Sequence, residues 1–186
     1  MSKQSTDVVS LLKTQHDEIR ERFAQVLATT GEGRQQAFRD LVRLLVVHET
    51  AEEEVVHPYV RRTLEGGRRI VEDRLKEEEH ATRMLDRLEN ADTSTPDFLE
   101  QLVNLRDEVV AHAEAEEQYE FARLRRETDR HRLEKMAQAV KAAEAFAPTH
   151  PHPMAAGSTA KNLAFGPLAA VADRTRDAVR KAMGNT

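Results

Sequence analysis

Val47-His48-Glu49-Thr50-Ala51-Glu52-Glu53 and Ala111-His112-Ala113-Glu114-Ala115-Glu116-Glu117 decide how this chain folds. Each stretch sets a histidine and a glutamate four residues apart, one helical turn, so that both side chains share a face. The residues leading into them say which face it is. Phe38, Leu41 and Leu45 precede the first pair, and Phe98, Leu102, Leu105 and Val109 precede the second, at alternating spacings of three and four. That rhythm marks the buried stripe of an amphipathic helix. Both His-x-x-x-Glu pairs are therefore expected inside.

Two more histidines extend the series. His16, His48, His80 and His112 recur every 32 residues. Turn signals fall midway between them, at Gly31-Glu32-Gly33, Glu65-Gly66-Gly67 and Thr93-Ser94-Thr95-Pro96. In an up-down-up-down arrangement each imidazole would lie about 16 residues, roughly 24 Å, from its turn, and all four would reach one level. The expected fold class is thus all-α, an antiparallel four-helix bundle. Its helices should cover about 5–29, 34–64, 68–90 and 96–127. His16 falls in the gap of the stripe Val9, Leu12, Ile19, Phe23 and Val26, so it too should point inward. The third helix is less regular, with Met84, Leu85 and Leu88 following His80. A repeat of about 64 residues, a duplicated helical hairpin, is the economical origin of the pattern.

Composition agrees. The chain has 186 residues, 33% of them charged, with no Trp and two Tyr, which favours solvated helices over a β sandwich. The bundle is expected over 1–127 and an accessory helix over 128–147. The segment 148–186 should be a linker rich in proline and histidine followed by a basic amphipathic tail helix. In that linker, Pro148-Thr149-His150-Pro151-His152-Pro153 cannot be helical, and His150 and His152 read as solvated. The formal charge is -5 with acids and bases interspersed, which argues against a nucleic-acid partner. No apolar run suits a signal peptide or a membrane span, so no membrane partner and a cytoplasmic location are expected. The basic tail is a candidate surface for a protein partner.

There is no cysteine, so a metal would be held by imidazole and carboxylate, a set that suits iron, zinc or manganese. Six ionisable groups converging in a bundle core would each cost several kcal/mol if uncompensated. A cation supplies the compensation. Four His and two Glu exceed one tetrahedral shell, so two ions fit better, with Glu52 and Glu116 bridging, His16 and His48 on one ion, and His80 and His112 on the other.

The series His, His-x-x-x-Glu, His, His-x-x-x-Glu over residues 8–126 resembles the hemerythrin-like, or HHE cation-binding, domain. The resemblance implies a non-haem di-iron centre, two carboxylate-bridged Fe ions, that binds or reacts with peroxide, dioxygen or nitric oxide. Catalase-like peroxide consumption is one form of that activity, and an iron- or oxygen-sensing module without turnover is the alternative. The respiratory members place a second histidine one turn before the third-helix ligand, where this chain has Lys76. Glu49, in a His-Glu-x-x-Glu run resembling the iron-sensing members, is expected to add a ligand, with Glu77 as its substitute. The expected metal set is His16, His48, Glu49, Glu52, His80, His112 and Glu116. Tyr119, one turn past Glu116, is expected beside the bridge, where its phenol would tune reactivity. Tyr59 is expected to pack, and His57, nine residues from His48, to point outward.

Overall fold

The computed structural model describes residues 6–147 and 167–184, and the described residues form helices without a strand. The linker histidines His150 and His152 lie outside them. Helix α1 spans Val8–Ala28 and is capped by Asp7, whose carboxylate accepts the Ser10 N–H at 2.9 Å. The second rod begins as α2, Gly31–Ala51, widens into a π turn over Glu52–Val56 (π1), and continues as α3, His57–Thr63. Helix α4 spans Gly67–Glu89. The fourth rod repeats the second: α5, Pro96–Ala115, passes through a π turn over Glu116–Phe121 (π2) into α6, Ala122–Glu127. Thr95 caps it, its hydroxyl accepting the Phe98 N–H. The accessory helix α7 covers Arg130–Glu144 behind the Asp129 cap, and α8 covers Pro167–Met183.

Arg34 shows how the bundle's end is tied. Its side chain is buried, and its Nε and Nη1 donate to the Thr29 and Thr93 carbonyls at 2.8 and 2.9 Å. The α1–α2 turn and the α4–α5 turn are therefore stapled together. At the other end Arg125 of α6 bonds Asp7 at the start of α1. Between α3 and α4, Gly66 takes a positive φ of 67°, and a Cβ on Gly67 would overlap the Val60 carbonyl oxygen. Only glycine allows that approach.

The core has two halves. One gathers Ile19, Phe23, Val26, Phe38, Leu41, Leu85, Leu88, Phe98 and Leu102 near the stapled turns. The other gathers Val8, Val9, Leu12, Val56, Val60, Phe121 and Leu124 with Leu133, Met136 and Val140 of α7. Each fully buried Leu, Val or Phe contributes about 1.5–3 kcal/mol. Along α1 the layers read Val8 to Leu12, then His16, then Ile19 to Val26. The polar layer lies between two apolar clusters, which screen it from water and fix its depth.

Helix α7 is part of the second core, and α8 packs against it. Thr175 is buried, Val179, Ala182 and Met183 rest on the same cluster, and Arg176 Nε lies 3.7 Å from Glu54 of π1.

Candidate metal centre

His16, His48, Glu52 and Glu116 each offer one ligand atom, all within 4.8 Å of one another, and all four side chains are buried. A second group, Glu49, Glu78 and His112, meets the same limit beside it. Glu116 joins the two. Its Oε2 is 3.4 Å from His16 Nε2, and its Oε1 is 3.3 Å from His112 Nε2. Glu52 Oε2 stands 3.6 Å from His48 Nε2, and Glu49 Oε2 stands 3.9 Å from His112 Nε2.

The imidazoles are held from behind. His16 Nδ1 donates to Glu117 at 3.0 Å, His48 Nδ1 to the Gln15 carbonyl oxygen at 3.0 Å, and His112 Nδ1 to Glu77 at 2.9 Å. Each bond fixes the tautomer that leaves Nε2 bare and facing the cluster. The Gln15 amide in turn donates to Glu144 of α7, so the accessory helix anchors His48 through one intermediary. Lys13 and Arg20 also pair with Glu117. Burial alone would raise the Glu117 carboxyl, but Lys13, His16 and Arg20 hold it down to about 2.

What faces inward is left unbonded. His16 Nε2, His112 Nε2, Glu49 Oε2 and both oxygens of Glu52, Glu78 and Glu116 are buried without a hydrogen-bond partner; the contacts of 3.3–3.9 Å are ion-pair distances, not aligned hydrogen bonds. Native interiors seldom leave such groups unsatisfied. The electrostatics match. Burial, then Glu116 and Glu49, push Glu52 well above the carboxylate range. Burial would also raise Glu116, but the surrounding imidazoles, His112 foremost, hold it well below. Burial and neighbouring His16 push His48 down to about 3, so it is a neutral imidazole, the form that ligates. Nitrogen and oxygen donors converging without partners are a set that could hold a cation.

The sequence profile of the hemerythrin HHE cation binding domain matches residues 7–124. The chain belongs to that family. A DNA nickase from Nostoc sp. (strain PCC 7120 / SAG 25.82 / UTEX 2576) is 26% identical over 143 residues, 76% of this chain. The chain spans about 40% of that relative's length. No solved structure gives a significant match.

Within this HHE domain the structure brings together His16, His48, Glu49, Glu52, His112 and Glu116, and it leaves out His80. The buried positions of α4 include Val71, Glu78, Leu85 and Leu88, a stripe on which Glu78 lies inside. His80 is two residues, about 200°, further round the helix, and it is exposed. Glu78 takes the inward place that the spacing of 32 had assigned to His80. Glu77, the expected substitute ligand, instead orients His112.

Two further corrections have one cause. His57 is buried, with Nε2 3.5 Å from Glu78 Oε1, not outward. Tyr119 is 58% exposed, not beside the bridge. A π turn carries roughly one residue more than an α turn and rotates everything beyond it by about 100°. In π1 the His57 N–H reaches the Glu52 carbonyl. The nine residues from His48 then carry His57 to about 80° instead of 180°. In π2 the same widening turns Tyr119 out, while Glu120, one turn past Glu116, stays inside. Pro58 is the legible trace of π1. It has no N–H and its ring crowds the carbonyl four residues back, which a wider turn accommodates. No proline marks π2. Tyr59 packs as expected, partly buried, with the Arg132 guanidinium over its ring.

Proposed function

We propose that the chain is a non-haem di-iron protein that binds or turns over small oxidants, peroxide, dioxygen or nitric oxide. The observation that carries this reading is that the His16 and His112 Nε2 atoms and the carboxylate oxygens face one another unbonded, while the Nδ1 atoms of His16, His48 and His112 are anchored behind them. His16, His48, Glu52 and Glu116 would hold one iron. Glu49, Glu78 and His112 would hold the other, with Glu116 between them. When bound, such a pair supplies the redox change and an open coordination position for the oxidant.

The chain's own residues do the rest. A cleft lined by His16, Ile19, Arg20, His48, Glu49, Val109, Val110, His112 and Ala113 reaches the imidazole side of the layer between α1, α2 and α5. It admits small molecules only, and the apolar clusters above and below exclude bulk water. Iron-loaded protein is expected to consume hydrogen peroxide catalytically, measured as oxygen release. Loading without peroxide consumption or a spectral response to peroxide, oxygen or nitric oxide would overturn the reading.

A sensing module is the second reading, favoured by the contact of Arg176 in α8 with Glu54 beside the ligand Glu52. In that case chelation would release α8 without any turnover having been present. The Nostoc relative's action on DNA is not carried over. The shared segment is the smaller part of that protein, and the present chain is acidic overall, so we assign the shared segment to cation binding.

A further inference from the structure

His57 and Glu120 are buried beside the two positions described above, and neither belongs to the His, His-x-x-x-Glu series. His57 directly follows π1 and Glu120 lies within π2. Both ring nitrogens of His57 and both oxygens of Glu120 lack a hydrogen-bond partner. One ligand atom from each of His57, Glu116 and Glu120 falls within 4.8 Å of the others, and His57 Nε2 is 3.9 Å from Glu116 Oε1. Donors about 2.1 Å from a common ion stand roughly 3 to 4 Å apart, so modest side-chain movement would close this triad on an ion. A direct His57–Glu120 hydrogen bond would have partnered one atom of each without an ion, and the two side chains do not make it. Filling the first two positions leaves these atoms still unsatisfied.

We propose that His57, Glu116 and Glu120 form a third divalent-cation position, adjoining the pair through the shared Glu116. The inference rests on reading the first two groups as cation sites. One imidazole and two carboxylates suit zinc, manganese or ferrous iron. Among the groups acting on Glu120 is the Arg74 guanidinium, whose positive charge also opposes a cation there. The third position therefore fills last.

The test uses the full chain, stripped with a chelator and titrated with Zn(II), which is redox-inert. Zinc retained through gel filtration is counted, and binding is followed by calorimetry. Wild type should hold three ions and Glu120→Gln, a near-isosteric change, two. His57→Asn should also hold two, and serves if Glu120→Gln fails to fold. His80→Ala, which removes an exposed histidine, should hold three. Equal zinc in wild type and both inner variants would overturn the third position. Failure of the underlying reading looks different: wild type itself would retain no more than one ion.

Discussion

His112 is gripped at both ring nitrogens, with Nδ1 2.9 Å from Glu77 Oε2 and Nε2 3.3 Å from Glu116 Oε1. Glu77 is the only one of these three that reaches solvent appreciably. Glu77→Ala should therefore leave the fold intact while freeing the imidazole to rotate. Loss of such an orienting partner typically costs about 10–100-fold in metal affinity. Calorimetric titration with Zn(II) should show that loss on one class of site and none on the other. An unchanged isotherm would mean that Glu77 is a surface charge only.

His80→Ala and Tyr119→Phe should both behave as wild type in iron content and optical spectrum, because both side chains face solvent. His112→Ala should lose iron and stability together, since Glu49, Glu78 and Glu116 would remain buried without their ion. Metal analysis and thermal melting of the three variants side by side check this. Iron loss in His80→Ala equal to that in His112→Ala would refute the inward placement of Glu78.

These variants also mark what the sequence made legible. The apolar stripes leading to His16, His48 and His112 carry an unbroken α-helical phase, so their depth and direction follow from counting, and so do Glu49, Glu52 and Glu116 within one turn. Beyond Glu52 and Glu116 the counting is off by one residue per rod, because a π turn starts at each of these glutamates. That is why His57 reads as outward and Tyr119 as inward. His80 misled for another reason. Its spacing continued the series, but Val71, Leu85 and Leu88 set a stripe on α4 that contains Glu78 instead.

Gly67→Ala should destabilise the protein by roughly 1–3 kcal/mol, the usual cost of overpacking, because its Cβ would meet backbone, the Val60 carbonyl, which has no rotamer to yield. Chemical denaturation gives the number. Gly33→Ala, where a Cβ meets only Thr29 Cβ at 3.9 Å, is the matched control and should fall near zero. Equal stability of the two variants would contradict the close approach of α3 and α4.

Metal-free protein should lose stability as pH rises from about 6.5 to 9. Burial would lower His57, but Glu78 and Glu116 outweigh it and lift the imidazole from 6.5 to about 9. Burial lifts Glu53 and Glu120 to about 7 despite His57 beside them. A folded-state pKa above the unfolded value means that folding takes up protons, so the contribution is full at low pH and lost through the folded pKa. His48, shifted down, works slightly the other way while the unfolded imidazole loses its remaining proton just above 6.5, and adds nothing beyond about 7.5. Thermal melts of chelated protein should fall across this window, and those of metal-loaded protein should fall less. A chelated protein that melts higher at pH 9 than at pH 6.5 would have the sign reversed.

Anomalous diffraction at the iron edge from crystals of iron-loaded protein tests most directly whether the His/Glu layer between the two apolar clusters is a di-iron centre. One iron peak is expected among His16, His48, Glu52 and Glu116 and a second among Glu49, Glu78 and His112, with Glu116 reaching both. Iron found only on surface histidines such as His80 or His131, with the interior layer empty at full loading, would contradict it.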